Sequence, residues 1–227
     1  METKEIKKTL QKQLNNFWDN HFDIFSSKYD LCFNLALEKT KTALSSSKNK
    51  YYFFQGFCIY NSTHYTIFLY FLSNLIGKDL DSPSINNEVA DKLYYLNKIM
   101  HGIDLYWGID LPEHILFEHP VGSVLGRASY GDYLLVYQGC TIGGSYRDGE
   151  IKYPSLGDNI IMYANSSIIG DCNIGNNVIV SANVCIVNTD VPDNVIVFGE
   201  KNNLVFKTLS NKKISNYFGN IWEQETI

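Results

Sequence analysis

Over the first hundred residues the apolar positions recur at helical spacing. Ile6, Leu10, Leu14 and Phe17 fall on one face, with Lys, Gln and Asn between them, as in an amphipathic helix. Ala36, Glu38 and the nearby lysines favour a second helix around Leu31 to Leu37, and Ser45 to Asn49 (SSSKN) reads as a loop. Tyr51 to Leu75 is aromatic or aliphatic on most faces, which predicts one or two buried helices. Asp79 to Ser84 interrupts the pattern, with Ser82-Pro83 as turn chemistry, and Asn87 to Ile103 predicts a further helix. Residues 1–105 therefore read as a helical domain.

Beyond that point the period changes. Leu156, Met162, Ile168, Ile174, Val180 and Ile186 are all aliphatic and stand six apart, and Val124, Tyr130, Val136 and Ile142 repeat the spacing upstream. Gly157, Gly170, Gly175 and many Asn, Asp and Ser lie between them. A helix repeats near 3.6 residues and a half-buried strand at two, so neither produces six. Hexapeptide periodicity is the mark of a parallel β-helix. Each short strand offers an inward aliphatic, a small or polar residue turns the corner, and stacked coils satisfy one another's backbone groups. The register breaks at Gly143 to Pro154 (GGSYRDGEIKYP), a polar, Gly-rich stretch that reads as a loop extruded from the coil. The expected organisation is α+β, with a β-helix over 106–207 and a C-terminal tail over 208–227.

Composition narrows the function classes. The 227 residues carry a net charge of −5 and a pI near 5.5, which argues against a nucleic-acid footprint. Hydrophobic residues at 45% argue against disorder over the whole chain. Five widely spread cysteines without a Cys-x-x-Cys pair favour reduced thiols over a disulfide scaffold or zinc ribbon. The longest apolar run, Tyr65 to Ile76, is short of the ~20 residues of a bilayer span. The first residues, METKEIKKTLQKQLNN, lack the apolar segment of an export signal. A soluble cytoplasmic protein, with no nucleic acid and no membrane span, is the expectation.

Several ordered motifs accompany the coil. Tyr52-Phe53-Phe54-Gln55-Gly56-Phe57 lies in the helical half, followed by Gly108-Ile109-Asp110 and by Glu118-His119 with Gly122 and Gly126. Then come Gln138-Gly139-Cys140-Thr141-Ile142-Gly143-Gly144, Lys152-Tyr153-Pro154 at the end of the loop, and Asp190-Val191-Pro192 with Gly199. Together these resemble the serine acetyltransferase branch of the hexapeptide acyltransferases over roughly residues 50–207. The resemblance implies a left-handed parallel β-helix that assembles as a homotrimer or a dimer of trimers. It implies acetyl-CoA as co-substrate in a groove between coils, and a histidine that deprotonates an acceptor hydroxyl for direct attack on the thioester.

An alcohol is a poor nucleophile at neutral pH, and a histidine base is the natural remedy. His119 takes that role by resemblance, with Asp110 as its carboxylate partner and Glu118 beside the acceptor. The Asp-to-His stretch is about one hexapeptide shorter than in the family, so Glu118 or Glu113 stand as alternatives to Asp110. Gly143 and Gly144 offer backbone N–H donors to the thioester oxygen. Ala164, Ala182, Gly199 and Lys201 fall where the co-substrate would lie, and Gln138, Lys152 and Tyr153 where the acceptor would. Tyr153 and Lys152 replace the family's loop histidine and arginine, and Lys41 to Asn49 lacks its Asp-Pro pair. Those changes point to a sugar hydroxyl in surface polysaccharide assembly as acceptor, with L-serine as the alternative. The closing Gly-x-Pro-Ala of many hexapeptide enzymes is absent after Gly199. Two other classes are a zinc site built on His114 and His119, which lacks a third coil histidine, and a silent trimeric scaffold.

Overall fold

The structure is a computed structural model, described over residues 2–19, 22–49, 56–79, 83–200 and 203–223, with the side chains of 83–85 excepted. The helical half holds α1 (Thr3–Phe17), α2 (Asp30–Ser45), α3 (Ser62–Lys78) and α4 (Pro83–His101). Helix α1 buries Ile6, Leu10 and Leu14, the stripe expected from their spacing. It also buries Lys7, whose ammonium pairs with Asp30 of α2. Helix α3 is the centre of the packing, because Tyr65 to Ser73 are all buried and leave no polar face. Its start is set by Asn61, whose side-chain oxygen accepts the N–H groups of Thr63 and His64. Of the one or two helices expected over Tyr51 to Leu75, α3 is one, and residues 51–55 lie outside the described residues.

The second half is a parallel β-solenoid of about five turns, as the period of six predicts. One face stacks β1 (Asp104–Leu105), β3 (Val124–Leu125), β5 (Thr141–Gly143), β10 (Ser167–Ile169) and β13 (Cys185–Val187). A second stacks β2 (Ile115–Glu118), β4 (Leu134–Tyr137), β9 (Ile160–Met162), β12 (Val178–Val180) and β14 (Val195–Glu200). The third face is thinner, with β8 (Ser155–Leu156) paired to β11 (Asn173–Ile174) and single bridges above and below. Ser167 pairs with Cys185, eighteen residues on, so one coil is three hexapeptides. All six aliphatics of the repeat are buried, none more than 5% exposed.

The corners are made by residues that tolerate left-handed backbone. Asn159, Asn177 and Asn194 stack at one corner with φ between 55° and 59°, beneath Tyr133 at 61°. Asparagine visits this region more readily than other non-glycine residues. Beside them runs a ladder in which each side-chain oxygen caps the amide of the coil above. Asp193 accepts from Asn176, Asn176 from Asp158, and Asp158 from Asp132, at 2.7–2.8 Å. Asp132 ends the ladder by accepting the His114 N–H, and its other oxygen meets His114 Nδ1 at 2.7 Å.

The loop expected at Gly143 to Pro154 is a two-stranded hairpin, β6 (Ser145–Arg147) with β7 (Glu150–Lys152). Its turn is Asp148-Gly149, both at positive φ, the chemistry of a tight hairpin. At the far end β15 (Asn203–Thr208) returns antiparallel along β14, and α5 (Asn211–Gly219) follows. The chain then runs back to the helical half, where Trp222 bridges Ser47. No helix among the described residues is long and apolar enough to cross a membrane.

Candidate active site

Helix α3 docks on the solenoid through polar side chains that reach the backbone of its first coils. Thr63 Oγ1 donates to the Phe117 carbonyl at 2.9 Å, and Asn74 Nδ2 donates to the carbonyls of Trp107 and Ile109. The Tyr70 hydroxyl donates to Ile109 and accepts from the Leu111 amide. Burial pushes that phenol above its ordinary value, so it stays a neutral donor. The first of these bonds sets the start of α3 directly beside Glu118 and His119.

His119 itself sits on an enlarged corner. Glu118 is in register with Tyr137, and Val124 with Thr141. Five residues therefore span the corner at His119, where three span it at Gln138. The additional residues carry His119 outward, exposed and at a φ of 52°. Left-handed backbone costs a non-glycine residue roughly 1–2 kcal/mol, and such strain gathers at functional sites. His119 and Glu118 border a cavity of about 370 Å³ whose other walls are Asn49, Tyr60, Asn61, Ser62 and Thr63. Among the described residues no group hydrogen-bonds the His119 imidazole.

The residues expected at the site separate into two groups. Glu118, His119, Gln138, Ala164, Ala182 and Gly199 share one corner column, seen in the bonds from Asn165 to the Gln138 carbonyl and from Asn183 to that of Ala164. Within it, the Gln138 side-chain oxygen is buried without a partner among the described residues. Gly199 has its own structural cause, since a Cβ there would lie 2.2 Å from the Asn203 carbonyl. Tyr137 and Tyr163 extend the column, with ring centroids 5.0 Å apart, and burial with the neighbouring Glu118 charge raises the Tyr137 phenol.

Gly143, Gly144, Lys152 and Tyr153 form the second group, across the width of the first sheet. A Cβ on Gly144 would meet Ile151 and Tyr153 at 2.7 Å, whereas Gly143 is open. Lys152 Nζ is 2.7 Å from Glu150, which raises its pKa. Lys201 lies outside the described residues.

The expected Asp110–His119 pair does not form. Asp110 is exposed and its carboxylate pairs with Lys78. The tripeptide Gly-Ile-Asp occurs twice, and the earlier copy, Gly102-Ile103-Asp104, is the one on the coil stack. Asp104 donates its N–H to the Ser123 carbonyl, near the end of the His119 corner. Burial alone would raise its carboxyl, but hydrogen bonds from Lys98 and Tyr94 outweigh it and hold the pKa low. The duplicated tripeptide was the signal for this alternative. His114 and His119 flank opposite ends of β2, about 16 Å apart along an extended strand, and His114 is engaged by Asp132. Among the described residues no three metal-ligating side chains cluster.

A helical domain docked on a hexapeptide solenoid, with a histidine projecting from an enlarged corner, defines the class of this chain. No known family model matches it. The serine acetyltransferase of Synechococcus elongatus is 32% identical over 117 residues, which is 51% of this chain and 48% of that protein. The chain thus spans about half the length of the curated relatives it matches. Among solved structures, the serine acetyltransferase of Neisseria gonorrhoeae superposes with a TM-score of 0.63 at 21% identity, covering 83% of this chain and 72% of that one. A serine acetyltransferase solved with CoA gives 0.63 at 15% identity, covering 79% and 73%. The chain is serine acetyltransferase-like in sequence over half its length, and in fold over most of it.

Proposed function

We propose that this chain transfers an acetyl group from acetyl-CoA to a hydroxyl acceptor, with His119 as general base. The observation that carries the reading is His119 itself, exposed on an enlarged corner and facing a cavity that the helical half helps to wall. The acceptor oxygen gives its proton to the imidazole as it attacks the thioester carbonyl. The tetrahedral intermediate collapses, the C–S bond breaks, and the departing thiolate takes the proton back from the imidazolium. The small side chains of Ala164 and Ala182 leave room along the corner below His119 for an extended donor arm. Acetyl-CoA supplies the activated acyl group, and the protein supplies the base and the alignment. Asp110, held by Lys78, has no part in this reading.

L-serine is the acceptor in the names of the relatives, and the Glu118 carboxylate suits its ammonium. A second reading, a sugar hydroxyl on a glycan, draws on the cavity wall. Apart from Glu118 and His119 its lining is uncharged, and Lys152 of the hairpin is already paired with Glu150. The working form in either case is a homotrimer or two stacked trimers. The hairpin of one copy, with Gly143, Gly144 and Tyr153, then faces His119 of the next. The enzyme works in the cytoplasm, where its acetyl donor is available.

Thiol release from acetyl-CoA, with L-serine and with a panel of sugars and nucleotide sugars, tests both readings. His119→Ala is expected to lose about 10² or more in kcat. Full activity in that variant removes the proposed base. Turnover on sugars alone removes serine, and turnover on serine alone removes the glycan.

A further inference from the structure

We infer that residues 219–223, which follow α5, are a strap that positions the acceptor cavity through the segment 46–49. This rests on the acceptor reading of the His119 cavity. After α5 the chain crosses back to the helical half and pairs with the segment that follows α2. Lys48 donates its N–H to the Ile221 carbonyl at 2.8 Å, and Glu223 donates its N–H to the Ser46 carbonyl at 2.6 Å. Ser47 and Trp222 form the bridge between those two bonds. The Lys48 ammonium adds a bond to the Gly219 carbonyl at 2.6 Å. The next residue of the held segment, Asn49, is a wall of the cavity that contains Glu118 and His119.

Trp222 is the pin. Its ring is fully buried and meets the edge of Tyr133 at 5.4 Å, and Tyr133 lies flat on His114 at 4.5 Å and 6°. His114 in turn is fixed by Asp132 at the head of the corner ladder. The strap is thus clamped between a solenoid corner on one side and the segment 46–48 on the other. Its hold on Asn49 runs through backbone bonds and ring contact. Among the described residues the indole N–H has no hydrogen-bond partner, so phenylalanine at this position keeps what the strap uses. The apolar rings fix the geometry, and the two backbone bonds transmit it to the cavity wall.

Trp222 is a positioning residue by this account, and its effect is on acceptor binding. The test is steady-state kinetics on the full chain, with whichever hydroxyl acceptor the wild type turns over. Trp222→Ala is expected to raise the acceptor KM by about 10-fold or more, with kcat and the acetyl-CoA KM within about twofold of wild type. Trp222→Phe should restore the acceptor KM. Lys48→Met removes only the exposed ammonium bond to Gly219, so it leaves folding intact and should raise the acceptor KM about two- to threefold. Saturating acceptor should also slow hydrogen exchange at the Lys48 and Glu223 amides in the wild type. An unchanged acceptor KM in Lys48→Met and in a folded Trp222→Ala overturns the strap and leaves the proposed reaction standing. An equal fall in kcat for every substrate reduces Trp222 to a structural residue and also overturns it. No turnover by the wild type with any hydroxyl acceptor overturns the proposed reaction and the strap together.

Discussion

The two halves of this molecule hold together by different rules. The helical half depends on contacts made once. Phe68 is buried against Phe33, Phe57 and Tyr65, Lys7 is buried against Asp30, and Asn61 caps one helix. The solenoid depends on a contact made over and over, with the same aliphatic rung and the same corner amide cap on successive coils. In the first half a lost contact has no substitute. In the second it is one term in a sum of neighbouring coils. The difference also shows where to look for function. A departure from the repeat, such as the two additional residues at His119 or the hairpin at Gly143, is visible against its neighbours. A departure in the helical half has nothing to be measured against.

The comparison is sharpened first by core truncations followed through urea unfolding. Phe68→Ala should cost about 3–5 kcal/mol and Ile168→Ala about 2–5 kcal/mol, with the loss from Ile168 confined to its coil and visible as a separate transition. A single shared transition for both variants would mean that the halves unfold as one unit. The corner residues offer a smaller effect. Asn177→Ala should cost roughly 1–2 kcal/mol, because alanine must hold left-handed backbone. Asn177→Gly keeps that freedom and loses only the bond from Asn177 Nδ2 to Asn194, so it should cost less. Equal losses would locate the stability in the side-chain bond.

The smallest effect concerns His101, at the end of α4. Burial pushes its imidazole down to about 4, while Asn97 holds Nδ1 at 2.7 Å. The folded pKa therefore lies below the unfolded value of about 6.5. The unfolded chain takes up the proton first, so this stability is complete above that value and declines as pH falls toward 4. The expected loss by pH 6 is on the order of 1 kcal/mol. His101→Gln should flatten the fall of the thermal midpoint between pH 7 and pH 5. An unchanged slope would show that the His101 imidazole contributes nothing to the acid sensitivity in this range.

The solenoid was legible because its pattern is periodic. Leu156 to Ile186 read directly as an inward ladder, and Gly143 to Pro154 stood out as the break in it. The helices were legible as amphipathic or buried segments, with shifted ends. Their caps rest on single residues such as Asn61, which the apolar pattern does not mark. The site was legible only in part. His119 and Gln138 lie on one column because coil spacing places them there. Asp110 came from the resemblance alone, and Asp104 stands in a second copy of the same Gly-Ile-Asp tripeptide. What separates them is a tertiary pairing, Lys78 to Asp110 and Lys98 to Asp104. Asn49 closes the stretch that the resemblance marked only for its missing Asp-Pro pair, and Tyr60 had no signal, since the cavity they wall exists only once α3 docks on β2.

One further consequence follows from β15. Stacked parallel coils end in a row of unsatisfied N–H and C=O groups, and that row would accept another coil from another molecule. Repetition of this kind is a template for filament growth. Here the last strand of the second sheet runs against all the others, its side chains are mostly exposed, and Lys207 stands on it. A foreign coil arriving in the native direction meets a strand of the wrong polarity beside a positive charge. On this face the edge from which the repeat could extend is closed to a further coil.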